Sequence, residues 1–299
     1  MRGQSKLKIG VIGASGFVGG YVMERLRGND IETIGTWYKH PEVGLVQLDV
    51  SDKVACERFL RKGMFDAVIV AAAQANVDWC ESHAEESYYF NTLPMANLAS
   101  IMNSSTEFAS IHLIFVSTDY VFDGENGPYT EKDIPNPLNV YGAHKLEAEK
   151  HVLSVGGTVV RTTWVYGYEK IPKNFVARLV QQLREGNTVK VPVDQMSSPT
   201  YVEDLAKGLV DIVLGGLRGL YHVSGLEFMS RYDFAQQIVQ QFRLETVLIK
   251  PVYTADLGQA ARRPLESGLI SKKSEPNFDN NPRSVKRGLE ETYRKICNE

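Results

Sequence analysis

The chain has 299 residues, 43% hydrophobic and 23% charged, a balance that excludes a disordered chain and supplies a sizeable core. A net charge of −3 with scattered Lys and Arg excludes a basic face for nucleic acid, and no apolar run reaches the roughly 18 to 20 residues of a membrane-spanning helix. Cys56, Cys80 and Cys297 are too few and too far apart for a disulfide framework or a metal site, so the expectation is a cytoplasmic protein without metal that acts on a small molecule.

From the start, Met1 to Lys6 runs directly into a strand, Lys8 to Ile12, rather than into a signal sequence. Val18 to Leu26 is predicted as its crossover helix, Ile31 to Trp37 as the second strand and Val46 to Val50 as the third. Ser51 is expected to cap a helix through Leu60, and Asp66 to Ala71 is an apolar fourth strand. A long helix over Glu85 to Met102 precedes a fifth strand, Leu113 to Ser117, and a loop rich in Gly, Pro and Asp from Thr118 to Leu138. Tyr141 to Leu153 is helical and Thr158 to Arg161 is a sixth strand. This alternation is the pattern of an α/β protein with a Rossmann-like, doubly wound parallel sheet.

Near Tyr166 the alternation loosens. The predicted boundary separates a cofactor-binding domain, residues 1–165, from a smaller substrate-binding region, residues 166–299, some of whose segments return to the first domain. Helices are expected over Asn174 to Arg184, Val202 to Leu214 and Arg231 to Phe242, with strands near Thr188 to Val191 and Leu220 to Val223.

Between the first strand and its helix stands Gly13-Ala14-Ser15-Gly16-Phe17-Val18-Gly19. Glycines there permit a tight turn and close backbone approach to a pyrophosphate, which the free N–H groups and dipole of a helix N-terminus attract. The spacing is Gly-x-x-Gly-x-x-Gly, so the general Gly-x-Gly-x-x-Gly fingerprint is not matched letter for letter. NAD calls for a carboxylate at the end of the second strand, to accept from the ribose 2′-hydroxyl. Here that position reads Thr36-Trp37-Tyr38-Lys39-His40. Lys39 with His40 suits a 2′-phosphate and Tyr38 borders the adenosine, so NADP(H) is the expected cofactor. Asp49 is placed either to accept from the adenine amino group or to cap the next helix.

Tyr141 and Lys145 lie four residues apart at the start of a helix and so share one face. An ammonium beside a phenol favours the phenolate, and such a tyrosine serves as acid and base for a carbonyl/alcohol pair. Lys145 can also bind the nicotinamide ribose. Ser117 and Thr118 close the fifth strand, where their hydroxyls reach the carboxyl edge of the sheet.

These strings together resemble the dTDP-4-dehydrorhamnose reductase family of extended short-chain dehydrogenases: Gly13-x-x-Gly16-x-x-Gly19, Ser117 through Gly124, Pro137 through Gly142, and Lys145. The likeness continues through Arg161 to Gly167, Asn174-Phe175, Asp194-Gln195, Pro199-Thr200 and Arg263-Pro264. It implies hydride transfer from NADPH to the C4 ketone of a nucleotide-linked 6-deoxy-hexulose, with Thr118, Tyr141 and Lys145 as catalytic trio. It further implies that Val50, Ala71, Ala72, Ala73, Ser117 and Val165 line the cofactor, that Asn91 supports the site, and that Asn174 and Arg263 bind substrate. Trp164 would border the sugar, although an aromatic at a strand end also serves core packing.

Related dehydratases carry an Asp-Glu pair after the Thr, for leaving-group and proton transfer; Asp119-Tyr120 here lacks the second carboxyl. The β subunit of methionine adenosyltransferase is similar to these reductases and keeps the Tyr and Lys, so a non-catalytic NADP-binding regulatory subunit is the alternative. Two departures from the family pattern stand out: Ser267-Gly268-Leu269-Ile270 lacks the usual acidic residue, and Ser271 to Arg283 is unusually polar. A homodimer pairing the helices at Glu85 to Met102 and Tyr141 to Leu153 is the expected assembly.

Overall fold

Strands that are apolar on both faces require helices on both sides, and the chain supplies them in order. The computed structural model describes residues 6–29, 31–270 and 281–297. The first half contains β1 (Lys8–Ile12), α1 (Phe17–Gly28), β2 (Glu32–Trp37), β3 (Val46–Gln47), α2 (Lys53–Gly63), β4 (Ala67–Val70), α3 (Val77–Ser82), α4 (Ala84–Asn91), α5 (Leu93–Ser104), β5 (His112–Thr118), α6 (Val140–Ser154) and β6 (Thr158–Thr162). There follow β7 (Val165–Tyr166), α7 (Phe175–Arg184), β8 (Val189–Pro192), β9 (Met196–Ser197), β10 (Thr200–Tyr201), α8 (Val202–Leu214), β11 (Gly219–His222), β12 (Met229–Ser230), α9 (Arg231–Phe242), β13 (Ile249–Val252) and α10 (Val285–Cys297).

Seven strands form one parallel sheet in the order β11-β6-β5-β4-β1-β2-β3. The winding reverses between β1 and β4, and the crevice outside their carboxyl ends is where such sheets take ligands. On one face Ile9, Val11 and Ile69 pack on Val22 and Leu26 of α1 and on Leu205, Leu209 and Ile212 of α8. On the other, Val68, Val70, Leu113 and Phe115 meet Leu60, Leu98, Ile101 and Val152. Each such fully buried side chain contributes about 1.5–3 kcal/mol. A separate cluster joins Val176, Leu179, Val180 and Leu183 of α7 to Phe234, Ile238 and Val239 of α9.

Several elements depart from the sequence reading. Asp52, not Ser51, caps α2, accepting from Val54 N at 2.9 Å and Ala55 N at 3.1 Å, while the Ser51 hydroxyl donates to Asp49. The long helix predicted over Glu85 to Met102 is two helices broken at Thr92, because the ring of Pro94 fits only the first turn of α5. A short α3, capped by Asn76, precedes them. The third strand shrinks to Val46–Gln47 at the sheet edge. The strand predicted at Leu220 to Val223 is β11, which pairs with β6 and extends the main sheet.

Met1 to Ser5 and most of the polar stretch Ser271 to Arg283 lie outside the described residues. Among those described, no helix is long and apolar enough to cross a membrane and no group of His, Cys, Asp or Glu gathers to hold a metal.

Candidate functional site

A cleft of about 1830 Å³ runs along the carboxyl edge of the sheet. Its first wall is the turn between β1 and α1, closed by Gly16 N donating to Gly13 O at 3.0 Å. Gly13 has φ +84°, and a Cβ there would stand 2.7 Å from Ala72 N. Only glycine lets this turn lie against the end of β4. Gly16 is the N-cap of α1 and supplies no side-chain cap, and the first turn carries no acidic residue. Its N–H groups therefore have an anion's place before them, as a pyrophosphate requires.

Gly13, Ser15, Gly16, Phe17 and Val18 line this part of the cleft, followed by Tyr38, Lys39, His40, Asp49 and Val50 and then Ala71, Ala72 and Ala73. Gly19 is buried in α1 behind the turn. Lys39 is exposed, its Nζ 5.5 Å from the Tyr38 ring and 5.3 Å from that of Phe90. Asp49 accepts from Ser51 N at 3.0 Å, so it braces the turn into α2 while lining the cleft. Asn91 stands behind the wall and ties down the loop after β4, accepting from Gln74 N at 3.0 Å and donating to Gln74 O at 3.1 Å.

Ser117, Thr118, Tyr141, Lys145 and Val165 line the middle of the same cleft. Asn139 caps α6 by accepting from Gly142 N at 2.9 Å, which places Tyr141 in the first turn. A Cβ on Gly142 would stand 2.1 Å from Tyr120 O, so this glycine lets the helix start press on the residues after β5. Burial pushes the Tyr141 phenol up, and the Thr118 hydroxyl partly opposes it.

The expected pairing of ammonium and phenol takes a different form. Lys145 Nζ donates to Val116 O at 2.8 Å and sits 3.8 Å from the centre of the Phe115 ring. Burial pushes this lysine down to about 7, with Glu149 opposing. Burial thus favours the protonated phenol at neutral pH.

A stability consequence follows. The folded-state value of Lys145 lies below the ordinary 10.5, so stability present above that ordinary value is lost as pH falls toward about 7. Lys145→Met removes this loss. Its melting temperature should exceed that of the parent most near pH 6 and least near pH 10, as melting followed across pH would reveal; an equal gap at every pH would contradict the assignment.

The far part of the cleft holds residues that the sequence did not single out. Arg231 opens α9, and its guanidinium carbon lies 3.4 Å from the Trp164 ring and 4.7 Å from that of Phe175. Arg178 lines the same region, and its charge opposes that of Arg231. Two neighbouring cations on a cleft wall form a place for an anion. Trp164 adopts φ +40°, a left-handed conformation that costs an aromatic residue about 1–3 kcal/mol. Its ring both lines the cleft and stacks on Phe234 at 6.5 Å, so the core and sugar-facing roles are compatible.

Asn174 lines the cleft but spends its side chain on its own loop, accepting from Ala177 N at 3.1 Å and donating to Gly167 O at 3.0 Å. Arg263 lies outside the cleft lining, paired with Asp78 at 2.7 Å. Asp119 is a further buried residue that the sequence reading used only against dehydration. Its position after Thr118 could have drawn attention, whereas nothing local marks Arg231, which only the tertiary fold brings near Trp164.

Compared with known protein families, residues 7–297 match the RmlD substrate binding domain. The chain belongs to this family. Its structure is similar to that of a dTDP-4-dehydrorhamnose reductase ortholog from Clostridium acetobutylicum, with 31% identity, a TM-score of 0.87 and coverage of 98% of this chain and 100% of that one. It is also similar to the reductase of that name from Bacillus anthracis, solved in complex with NADP, with 28% identity, a TM-score of 0.88 and coverage of 97% and 100%. Methionine adenosyltransferase 2 subunit beta from Danio rerio is 31% identical over 274 residues, covering 89% of this chain and 83% of that protein. The RmlD family match spans both the phosphate-loop half and the later half of the cleft.

Proposed function

We propose that this protein is an NADPH-dependent oxidoreductase that reduces the C4 ketone of a nucleotide-linked 6-deoxy-4-hexulose, as in dTDP-L-rhamnose formation. One observation carries this reading: a buried Tyr141 and Thr118 line one cleft together with an anion-ready helix N-terminus and an arginine-lined, aromatic wall. A dinucleotide fits the first end and a nucleotide diphosphate with its sugar the second. The solved NADP complex of the similar Bacillus anthracis reductase supports the cofactor assignment.

NADPH, when bound, would supply the hydride. The turn at Gly13 to Gly16 would hold its pyrophosphate, Lys39 with His40 its 2′-phosphate, and Lys145 its nicotinamide ribose. Tyr141 Oη would deliver the proton to the ketone oxygen, and Thr118 would polarise that oxygen. Arg231 and Arg178 would hold the substrate's phosphates, with Trp164 against the sugar. Residues 6–165 with α8 and β11 would form the cofactor unit and the rest the substrate unit, in a cytoplasmic homodimer.

Lys39→Ala is expected to weaken NADPH binding roughly tenfold, the worth of one hydrogen bond to a charged group, and to leave NADH binding unchanged. Trp37, Trp79 and Trp164 line the cleft, so quenching of tryptophan fluorescence reports both affinities. Tighter binding of NADH than NADPH to the parent protein would overturn the role given to Lys39.

The identity to methionine adenosyltransferase 2 subunit beta favours a second reading, a non-catalytic NADP-binding regulatory subunit. Mixing the protein with NADPH and a TDP-4-keto-6-deoxy-hexose separates the two. Loss of NADPH absorbance supports the reductase. No loss with several such sugars, together with tight binding to a methionine adenosyltransferase catalytic subunit, supports the regulator.

A further inference from the structure

Thr118 has one hydroxyl proton, and Asp119 competes for it. We propose that Asp119 is a positioning residue: its carboxyl sets which way the Thr118 hydroxyl proton points, and so whether Thr118 can donate to the oxygen of the bound ketone. This role rests on the reductase reading.

Donors and acceptors around Thr118 decide where its proton points. Thr118 Oγ1 already accepts from Tyr120 N at 3.2 Å. It lies 3.1 Å from Asp119 Oδ1. A carboxylate only accepts, so an ionised Asp119 takes the single Thr118 proton for itself. A lone pair then faces the cleft, where a ketone oxygen is also only an acceptor. If Oδ1 carries a proton, the bond reverses. Asp119 donates to Thr118 Oγ1, which now accepts from Tyr120 N and Asp119 and turns its own proton to the ketone.

Burial favours this second state. Asp119 is 2% exposed. Its Oδ2 accepts from Thr163 Oγ1 at 2.7 Å and from Ser267 Oγ at 2.6 Å, so Oδ1, which has the single side-chain partner, is the oxygen left to hold a proton. Its side-chain hydrogen-bond partners among the described residues are three neutral hydroxyls and no cation, and a buried charge so placed is neutralised in preference to being kept. The ionisable groups near it are the phenols of Tyr120 and Tyr141 and the guanidinium of Arg231. Burial pushes the Asp119 carboxyl up, against the opposing effect of the three hydroxyls and of a backbone N–H.

Ser267 gives the arrangement a further meaning. It comes from the segment where the family's usual acidic residue is absent, and that segment is pinned by Ser267 N donating to Met196 O at 3.0 Å and Glu266 N donating to Gly124 O at 2.9 Å. A hydroxyl from the later half of the chain thereby fixes the carboxyl behind Thr118.

The test compares Asp119→Ala with Asp119→Asn. An asparagine can accept from Thr163 and Ser267 while its amide N–H points permanently at Thr118, imitating the protonated acid. The alanine variant should lose roughly tenfold in kcat, and the asparagine variant should recover most of that. The parent's kcat should fall on the alkaline side as the carboxyl ionises, and the asparagine variant should lack that limb. Equal activity of the two variants, or an unchanged alkaline limb in the asparagine variant, overturns the proposal.

A second readout needs no turnover. The infrared difference between parent and Asp119→Asn at neutral pH should contain the carbonyl stretch of a protonated carboxyl; its absence overturns the proposal even if the alanine variant does not fold. If the parent reduces no keto-sugar, the reductase reading fails and this role fails with it. The infrared band then tells whether the carboxyl nonetheless holds its proton, which keeps the two failures apart.

Discussion

Tyr141→Phe is expected to lower kcat for NADPH oxidation by about 10²–10⁴-fold, the usual contribution of a positioned proton donor, while NADPH binding is retained. The ring would keep its edge contact with Tyr120 at 6.0 Å, so the helix start and the cleft wall stay in place. Only the acidic hydrogen is lost. Because burial pushes the phenol up, it keeps its proton at neutral pH and reduction needs no alkaline activation. The reverse oxidation needs the phenolate and should therefore speed up as pH rises. Stopped absorbance loss with unchanged fluorescence quenching by NADPH is the decisive pair of measurements; loss of both signals would make Tyr141 a structural residue.

The largest expected effect on stability lies just beneath that site. Glu149 receives two bonds from Arg161, Nε to Oε1 at 2.9 Å and Nη2 to Oε2 at 2.6 Å, and a third from Ser117 Oγ at 2.6 Å. Both charged side chains are almost fully buried. Breaking one half of such a pair strands the other charge in the interior, so Glu149→Ala should cost about 3–5 kcal/mol. Urea unfolding should show a lower midpoint with an unchanged slope. Replacing both partners by apolar residues, Glu149→Leu with Arg161→Met, should recover much of the loss, since neither charge is then stranded. A double variant as unstable as the single one would mean that Ser117, not Arg161, is the important partner.

Much of this architecture was legible because its causes are local. A run such as Ala67–Val70 has no polar face and must be a strand between two layers. The turn at Gly13 is written in its glycines. What escaped were features set by partners distant in sequence. Lys145 was read with Tyr141 because they share a helix face, but the carbonyl of Val116, on another element, takes its ammonium. Arg263 pairs with Asp78, a residue 185 positions away in sequence that no local pattern connects to it. Pro94 stands within the predicted long helix, and its missing N–H and fixed ring fit only the first turn of α5, which divides it from α4.

The return of β11 to the main sheet bears on how this chain can be divided. It pairs with β6, and α8, immediately before it, lays Leu205, Leu209 and Ile212 over Ile9, Val11 and Ile69. A fragment cut at the apparent boundary near residue 165 would leave that apolar layer bare and one edge of β6 open for pairing with other chains. The two halves of the cleft are consequently not modules that recombination could exchange by a single crossover: a transplanted sugar pocket would have to carry α8 and β11 with it, or leave them behind.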